Sequence, residues 1–586
     1  MTTTAPPTET AAPMSMSNLG VLIGYARPHT RTLLLGLVLA LGSSATVMAT
    51  PMVTKSILDA LGTGASIMGP TVALLVLLVI GAALGWGYWI LLGTVAENIV
   101  FDARTTLVRR LLGATVPSVQ ARPTGELVTR VTADTLLLKE AASSAVIGII
   151  NATFLTVGTV ILMGVLDMML LGVTVLAIVV VGMLFGTLMP RIAKADAQTQ
   201  ESLGRLGGVL EGSLRSVRTV KAARAEHRIA TLIGADARDA RTHAIESVRV
   251  SATAWTVAWT GVQGAIIAIL AIGAWRVDNG SLTVSTLIAF LLYAFTLMGP
   301  IQELTTHITA MQSGIAAAMR IREMETLHSE SDVAHEPAPT VTIEPDAAVR
   351  FDDVTVRYAP DAPHALKGLT LRIPATGHTA IVGPSGAGKT TVFSTILRFV
   401  EPDSGTVSVG GVAYRNLTMS DVRARVAYVE QESPLVPGTL NDNLRFLRHG
   451  ATDDEVAEVL RLLRLDSVVA AQPKGLDTHV RDTDLSGGQR QRIAMARAML
   501  GDADVLLLDE ATSQIDTLTE ASIVEAIAVR ARTHAVVTIA HRLSTVRHAD
   551  RIVVMDDGSV RAVGTHDELM RADELYARMV RAGGFA

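Results

Sequence analysis

The chain of 586 residues contains no cysteine, which excludes disulfides and thiolate metal sites. It also lacks a strong excess of either charge. Fifty Lys and Arg stand against 55 Asp and Glu, a formal charge of −5, and nothing in that balance points to nucleic acid as a partner. The first 17 residues, Met1 to Ser17, hold no Lys or Arg. A secretory signal needs a basic start, so this segment, rich in Thr, Pro and Ala, reads instead as a disordered cytoplasmic tail covering residues 1–19. What is abundant is apolar surface: 49% of residues are hydrophobic and the mean hydropathy is +0.40. The length exceeds that of an ordinary single domain and predicts at least two.

Residues 20–325 are expected to form a membrane domain. Six apolar stretches, at about 32–57, 70–95, 143–165, 168–190, 250–275 and 281–303, are each long enough to cross a bilayer at roughly 20 residues per span. Charge then sorts the loops. Asp59 to Pro70 and the turn Leu166-Asp167-Met168 carry no Lys or Arg, and the last outer loop has only Arg276. The segment between spans 2 and 3 holds Arg104, Arg109, Arg110, Arg122, Arg130 and Lys139, and that between spans 4 and 5 is similarly basic. The positive-inside rule puts both long segments and both termini in the cytoplasm. Within the second segment Leu203, Leu206, Val209, Leu210, Leu214 and Val217 recur at helical spacing, so the helices should run on into the cytoplasm and turn back there.

A linker, 326–348, follows, centred on His335-Glu336-Pro337-Ala338-Pro339. Beyond it, residues 349–586 alternate β-branched runs with helical patterns, as an α/β domain does. Gly383-Pro384-Ser385-Gly386-Ala387-Gly388-Lys389-Thr390 fits the phosphate-loop pattern without mismatch, between an expected strand, His378 to Val382, and an expected helix, Lys389 to Val400. Its glycines let backbone N–H groups turn toward phosphates, and the helix start adds positive potential. Lys389 is then expected at the β- and γ-phosphates, the Thr390 hydroxyl on Mg2+, and Thr391 near the α-phosphate. Val505-Leu506-Leu507-Leu508-Asp509 reads as a buried parallel strand ending in a carboxylate. A charge there is costly unless it faces a cation, which for Asp509 would be Mg2+ through water. Glu510, the next residue, is placed to polarise the attacking water in phosphoryl transfer.

Between these two lies Leu485-Ser486-Gly487-Gly488-Gln489, followed by Arg490-Gln491-Arg492 and an apolar helical run to Leu500. This string resembles the signature motif of ATP-binding-cassette (ABC) proteins, and the likeness extends over the chain from about residue 20. The resemblance implies a six-span α-helical transmembrane domain followed by an α/β P-loop ATP-binding cassette, of the exporter type. It implies that Tyr358 stacks on adenine, that Gln431 ligates Mg2+ and senses the γ-phosphate, and that His541 contacts the γ-phosphate as the switch histidine. Ser513-Gln514-Ile515-Asp516 takes the place of the D-loop, so Asp516 joins the ATP-binding set. It further implies that two chains sandwich each ATP between Lys389 of one and Ser486, Gly487, Gly488 and Gln489 of the other. The absence of cysteine excludes the cysteine-protease domain found at the front of some peptide exporters.

Two inner segments resemble the family's coupling regions: Pro123-Thr124-Gly125-Glu126-Leu127 with Arg130 and Asp134, and Glu211 through Leu214 to Val220-Lys221. Two departures stand out. No aromatic precedes the first segment, and the Val-Gly-Glu-x-Gly pattern usual ahead of the signature is replaced by the shorter Thr478-His479-Val480-Arg481-Asp482-Thr483-Asp484. Asp482 is expected to stand in for the missing Glu on a shorter stem.

Cargo is the least legible feature. Trp86, Trp89, Trp255, Trp259, Phe290 and Tyr293 read by default as lipid-facing or interfacial side chains, with a hydrophobic cargo cavity as the alternative. Glu303 and His307, near the inner end of span 6, would meet cationic substrate if they line a water-filled cavity. The expected function is ATP-driven export of hydrophobic or amphipathic small molecules across a bacterial-type cytoplasmic membrane, with ATP and Mg2+ and a second half-transporter as partners. A homodimer is favoured over a heterodimer. Alternatives on the same scaffold are a lipid flippase or a metal-chelate importer, and a gated channel or sensor is a more distant one.

Overall fold

A computed structural model gives the fold for residues 16–330, 347–359, 361–481, 484–509, 517–540 and 542–582. The chain divides into two compact units: Met1–Arg109 with Thr124–Thr326, and Arg110–Pro123 with Leu327–Ala586.

Among the described residues the first unit is helical, and six of its helices are long and apolar enough to span a bilayer: Leu22–Thr63, Met68–Leu112, Thr124–Leu166, Met168–Arg215, Glu226–Asp278 and Val284–Glu325. In element terms these are α1 (Met16–Ala26) leading into α2 (Thr30–Thr63), α3 (Met68–Leu112), the series α5 (Thr124–Thr129), α6 (Thr135–Glu140) and α7 (Val146–Leu166), then α8 (Met168–Arg215), α10 (Glu226–Asp278), and α11 (Val284–Thr296) with α12 (Met298–Glu325). Short α9 (Val217–Ala222) joins α8 to α10, and α4 (Val116–Gln120) belongs to the second unit. At 1.5 Å per residue, the 48 residues of α8 and the 53 of α10 run roughly 70 and 80 Å, more than twice a ~30 Å hydrocarbon core. The helices therefore continue beyond any membrane.

Polar ties fix this bundle. Asp167 accepts from the amide of Leu170 at 2.8 Å, capping α8, and pairs with Arg276 at 2.8 Å. Asp134, almost fully buried, accepts from Arg130 at 3.1 Å and from Arg320 at 2.6 and 3.1 Å. A buried carboxylate is costly alone, and two guanidinium groups offset that cost. Trp86, Trp89, Trp255 and Trp259 are exposed, but Phe290 and Tyr293 are fully buried and correct the sequence expectation. They pack with Met163, Leu170 and Ile269, and the Tyr293 hydroxyl donates to the Met48 carbonyl at 2.6 Å.

The second unit is α/β. Its strands are β1 (Ala347–Val356), β2 (Leu366–Pro374), β3 (Gly377–Val382), β4 (Ser404–Val409), β5 (Val412–Ala413), β6 (Val426–Val429), β7 (Gly438–Thr439), β8 (His479–Val480), β9 (Val505–Asp509), β10 (Ala535–Ile539), β11 (Arg551–Asp556) and β12 (Ser559–Gly564). Helices α13 (Lys389–Ile396), α14 (Met419–Ala424), α15 (Leu440–Leu444), α16 (Asp453–Leu462), α17 (Asp466–Ala470), α18 (Gly487–Leu500), α19 (Thr517–Ala531), α20 (Leu543–Arg547), α21 (His566–Ala572) and α22 (Glu574–Arg581) intervene. The main sheet has the order β12-β11-β3-β10-β9-β6, and an antiparallel sheet has the order β2-β1-β4-β5. From β11 through β3, β10 and β9 to β6 all pairings are parallel. Every residue of β9 and β10 is buried, as strands covered on both faces require.

Three boundaries differ from expectation. Helix α1 starts at Met16, inside the range read as tail, and β1 starts at Ala347, inside the range read as linker. Residues Arg110–Pro123, read as part of the membrane domain, group with the second unit because their backbone is bonded to residues just after α12.

Candidate functional site

The parallel register brings the carboxyl ends of four strands level. Ile539 of β10 lies opposite Ile381 of β3 on one side and Asp509 of β9 on the other, and Val429 of β6 lies opposite Leu508. In open parallel sheets this edge is where ligands bind. The phosphate loop leaves β3 here, Asp509 ends β9 here, and Gln431 follows β6 by two residues.

Gly383, Gly386 and Gly388 have φ of +154°, +81° and +94°. A Cβ on Gly388 would come within 2.7 Å of the Ala365 carbonyl oxygen, whereas one on Gly386 would meet open space. The loop is thus wrapped tightly behind and open in front, a nest of amides suited to an anion. Pro384 and Gly388 are half-buried, Ala387 is buried, and Ser385 and Thr390 are exposed. Lys389, buried at the start of α13, donates to the carbonyls of Gly383 at 2.7 Å and Pro384 at 3.0 Å. Tyr358 is exposed and its hydroxyl donates to Oγ1 of Thr391 at 3.2 Å, so the expected adenine platform borders the first turn of α13.

Helix α13 ends at Ile396, short of the expected Val400, because Arg398 takes a left-handed φ of +55°. At the acid edge, Asp509 is buried and Gln431 exposed. Sequence reasoning missed Tyr428, whose phenol is pushed well above its ordinary pKa by burial and then by Asp509, to which it hydrogen-bonds. Tyr428 lies opposite Leu507 on the neighbouring strand, two residues from Asp509, a proximity that only the strand register discloses. These groups fit ATP with Mg2+: an amide nest and an ammonium for phosphates, an exposed hydroxyl, an amide oxygen and a carboxylate for a hard cation.

The signature opens α18. Ser486 is the N-cap: its hydroxyl accepts from the Gln489 amide at 3.3 Å, and its own amide donates to Oε1 of Gln489 at 2.9 Å. Ser486 is exposed, and Gly487, Gly488 and Gln489 are half-exposed. The start of a 14-residue helix is therefore presented at the surface of the cassette, where backbone N–H groups favour an anion. Just upstream, β7 pairs with β8, and the Arg481 amide donates to Asp484 Oδ2 at 3.0 Å.

Glu510, Asp516 and His541 lie outside the described residues, as do Asp482 and the rest of the D-loop segment. Their neighbours are pinned. Glu520 of α19 accepts from Arg542 at 2.6 Å and also from the Ser544 hydroxyl. Neither partner was legible in the sequence, since 22 and 24 residues separate them. In the first unit, Glu303 is exposed and His307 lies against Gly148.

Residues 33–301 match the family described as "ABC transporter transmembrane region", and residues 366–513 the one described as "ABC transporter". The chain is 30% identical to an ATP-dependent lipid A-core flippase of Albidiferax ferrireducens, covering 98% of this chain and 100% of that protein. It is 27% identical to a multidrug resistance ABC transporter ATP-binding and permease protein of Lactococcus lactis, covering 95% and 94%. A solved bacterial Atm1-family ABC exporter with ATP bound superposes with a TM-score of 0.72 at 27% identity, covering 94% of this chain and 98% of its own.

Proposed function

Because the chain belongs to the ABC transporters, multi-pass membrane proteins that hydrolyse ATP, we propose that it is a half-transporter exporting hydrophobic or amphipathic small molecules as a dimer. One observation carries the reading. Each cassette presents both halves of an ATP sandwich, the open amide nest of Gly383–Gly388 and the capped, surface-facing start of α18. A second chain turned about a two-fold axis would bring Ser486–Gln489 onto the phosphates held by the first.

In that complex the Lys389 ammonium exchanges the Gly383 and Pro384 carbonyls for β- and γ-phosphate oxygens. Thr390, Gln431 and Asp509 would hold Mg2+, which when bound offsets charge on the phosphates. Glu510 accepts a proton from water as the water oxygen bonds to the γ-phosphorus, the bond to the β,γ-bridging oxygen breaks, and ADP leaves. His541 is assigned to steady the γ-phosphate, and Asp516 to join the ATP-binding set. The membrane proposed is a bacterial-type cytoplasmic one, and positive-inside charge supports cassette and termini on its inner side.

The full-length similarity to a lipid A-core flippase favours lipid movement as a second reading. Inside-out vesicles separate the two. ATP-dependent accumulation of a hydrophobic cationic dye supports export, and movement of a fluorescent lipid without dye uptake overturns it in favour of flipping. Glu510→Gln should bind ATP yet hydrolyse it at least about 100-fold more slowly, the scale of a lost general base. Near-normal turnover in that variant removes Glu510 from its role.

A further inference from the structure

Arg423 of α14 holds no phosphate-binding position, yet it gathers a carbonyl, a carboxylate and an aromatic ring. Its Nε donates to the Leu397 carbonyl at 3.1 Å, and its Nη1 and Nη2 donate to the two carboxylate oxygens of Glu330, each at 2.8 Å. Its guanidinium lies 5.1 Å from the centre of the Phe399 ring. Leu397 caps the C-terminus of α13, the helix that begins with Lys389, so the cation meets the negative end of that helix. Strand β6 starts three residues after Arg423 and leads to Gln431. Arg423 therefore stands at the far ends of two elements whose near ends face ATP.

Glu330 lies in a short strap. Its amide donates to the Gly113 carbonyl at 2.9 Å, the Thr115 amide donates to the His328 carbonyl at 2.9 Å, and Ala114 and Ser329 form an antiparallel bridge. Arg110 adds a bond from Nη2 to the Leu327 carbonyl at 2.6 Å. Gly113 follows the last residue of α3, and Leu327 lies two residues past the end of α12. The strap thus joins the chain leaving one membrane helix to the chain leaving another, and Glu330 clips it to Arg423.

We propose that Glu330 and Arg423 are positioning residues through which α3 and α12 sense the nucleotide state of the cassette in their own chain. The proposal rests on the reading of the protein as an ATP-driven transporter. Exposed ion pairs contribute little, but this one is bidentate, mostly buried, and held flat by an aromatic face. Such a fork fixes direction as well as distance, which a point charge does not.

The sequence supplies a clean reporter. All five tryptophans, Trp86, Trp89, Trp255, Trp259 and Trp275, lie in the first unit, so their emission reports on the membrane helices alone. The full chain in lipid nanodiscs is followed by tryptophan emission on adding ATP with vanadate, by binding of a fluorescent ATP analogue, and by kcat and KM for ATP. Glu330→Gln should keep analogue affinity and basal kcat within about twofold while losing at least about half of the emission change, because it breaks the clip and leaves the ATP groups in place. Glu330→Asp, which keeps the charge, should recover part of it. Arg423→Lys should lose the emission change and also raise KM. A full emission change in Glu330→Gln overturns the proposal, as does a parallel fall of emission change, kcat and melting temperature, which would mark a purely structural pair. A wild type that hydrolyses ATP with a static tryptophan signal overturns it too. A wild type without ATPase activity overturns the transporter reading, and the inference falls with it.

Discussion

His378 shows how one residue writes a pH dependence into the cassette. It is buried at the start of β3, with its Nε2 bonded to Thr538 Oγ1 at 2.9 Å. Burial pushes its pKa down to about 4; Asp550 opposes the shift and His548 adds to it. The native state therefore holds His378 neutral, while the unfolded chain titrates near the ordinary value of about 6.5. Its contribution is complete above that value and drains away as pH falls toward 4. Between pH 7.5 and 5 the loss should be about 2 kcal/mol. Thermal unfolding of the wild type and of His378→Gln at both pH values checks this. The variant should show a smaller drop on acidification, and an equal drop in both would refute the assignment.

At the level of elements, α18 carries two duties on one side chain. Ser486 closes a capping box with Gln489, and in the proposed dimer the same hydroxyl would meet the phosphates held by the partner chain. Ser486→Ala should cost about 1 kcal/mol of cap stability as well as activity. Ser486→Asp should keep the cap, because a carboxylate accepts the same amide bond, yet lose most ATPase activity through repulsion of phosphate. Thermal unfolding beside ATPase rates separates the two, and an active Asp variant would remove the phosphate role. Elements like this are legible in sequence because their signals are local: Ser486 to Gln489 spans four residues, and the phosphate loop has its glycines within six. The strap is the opposite case. Glu330 and Arg423 are 93 residues apart, and no periodicity links them. Phe290 and Tyr293 escaped for a related reason, since an apolar helix in a membrane protein does not announce which face meets lipid and which meets other helices. Tyr428 escaped because its partner lies on another strand.

For the whole molecule the proposed composite site makes a strong demand. A Lys389→Ala chain lacks one half of the sandwich and a Ser486→Asp chain the other, so each alone should be inactive. Mixed in equal amounts, half of randomly paired dimers regain one intact site out of two, and the rate should return to roughly one quarter of wild type. ATPase measured after co-expression of the two variants tests this, and a mixture as inactive as its parts would place each site within a single chain or exclude the homodimer.

The level strand ends have a consequence for descent. Because backbone bonds set Ile539 beside both Ile381 and Asp509, the gap between phosphate loop and acid is two strand spacings, roughly 10 Å, whatever side chains the strands carry. Mutation can rewrite the surfaces of the membrane helices over evolutionary time without altering that gauge. A lineage can then change what it carries while inheriting the same engine, and relatives named for drugs and for lipid at 27% and 30% identity are what such a history would leave.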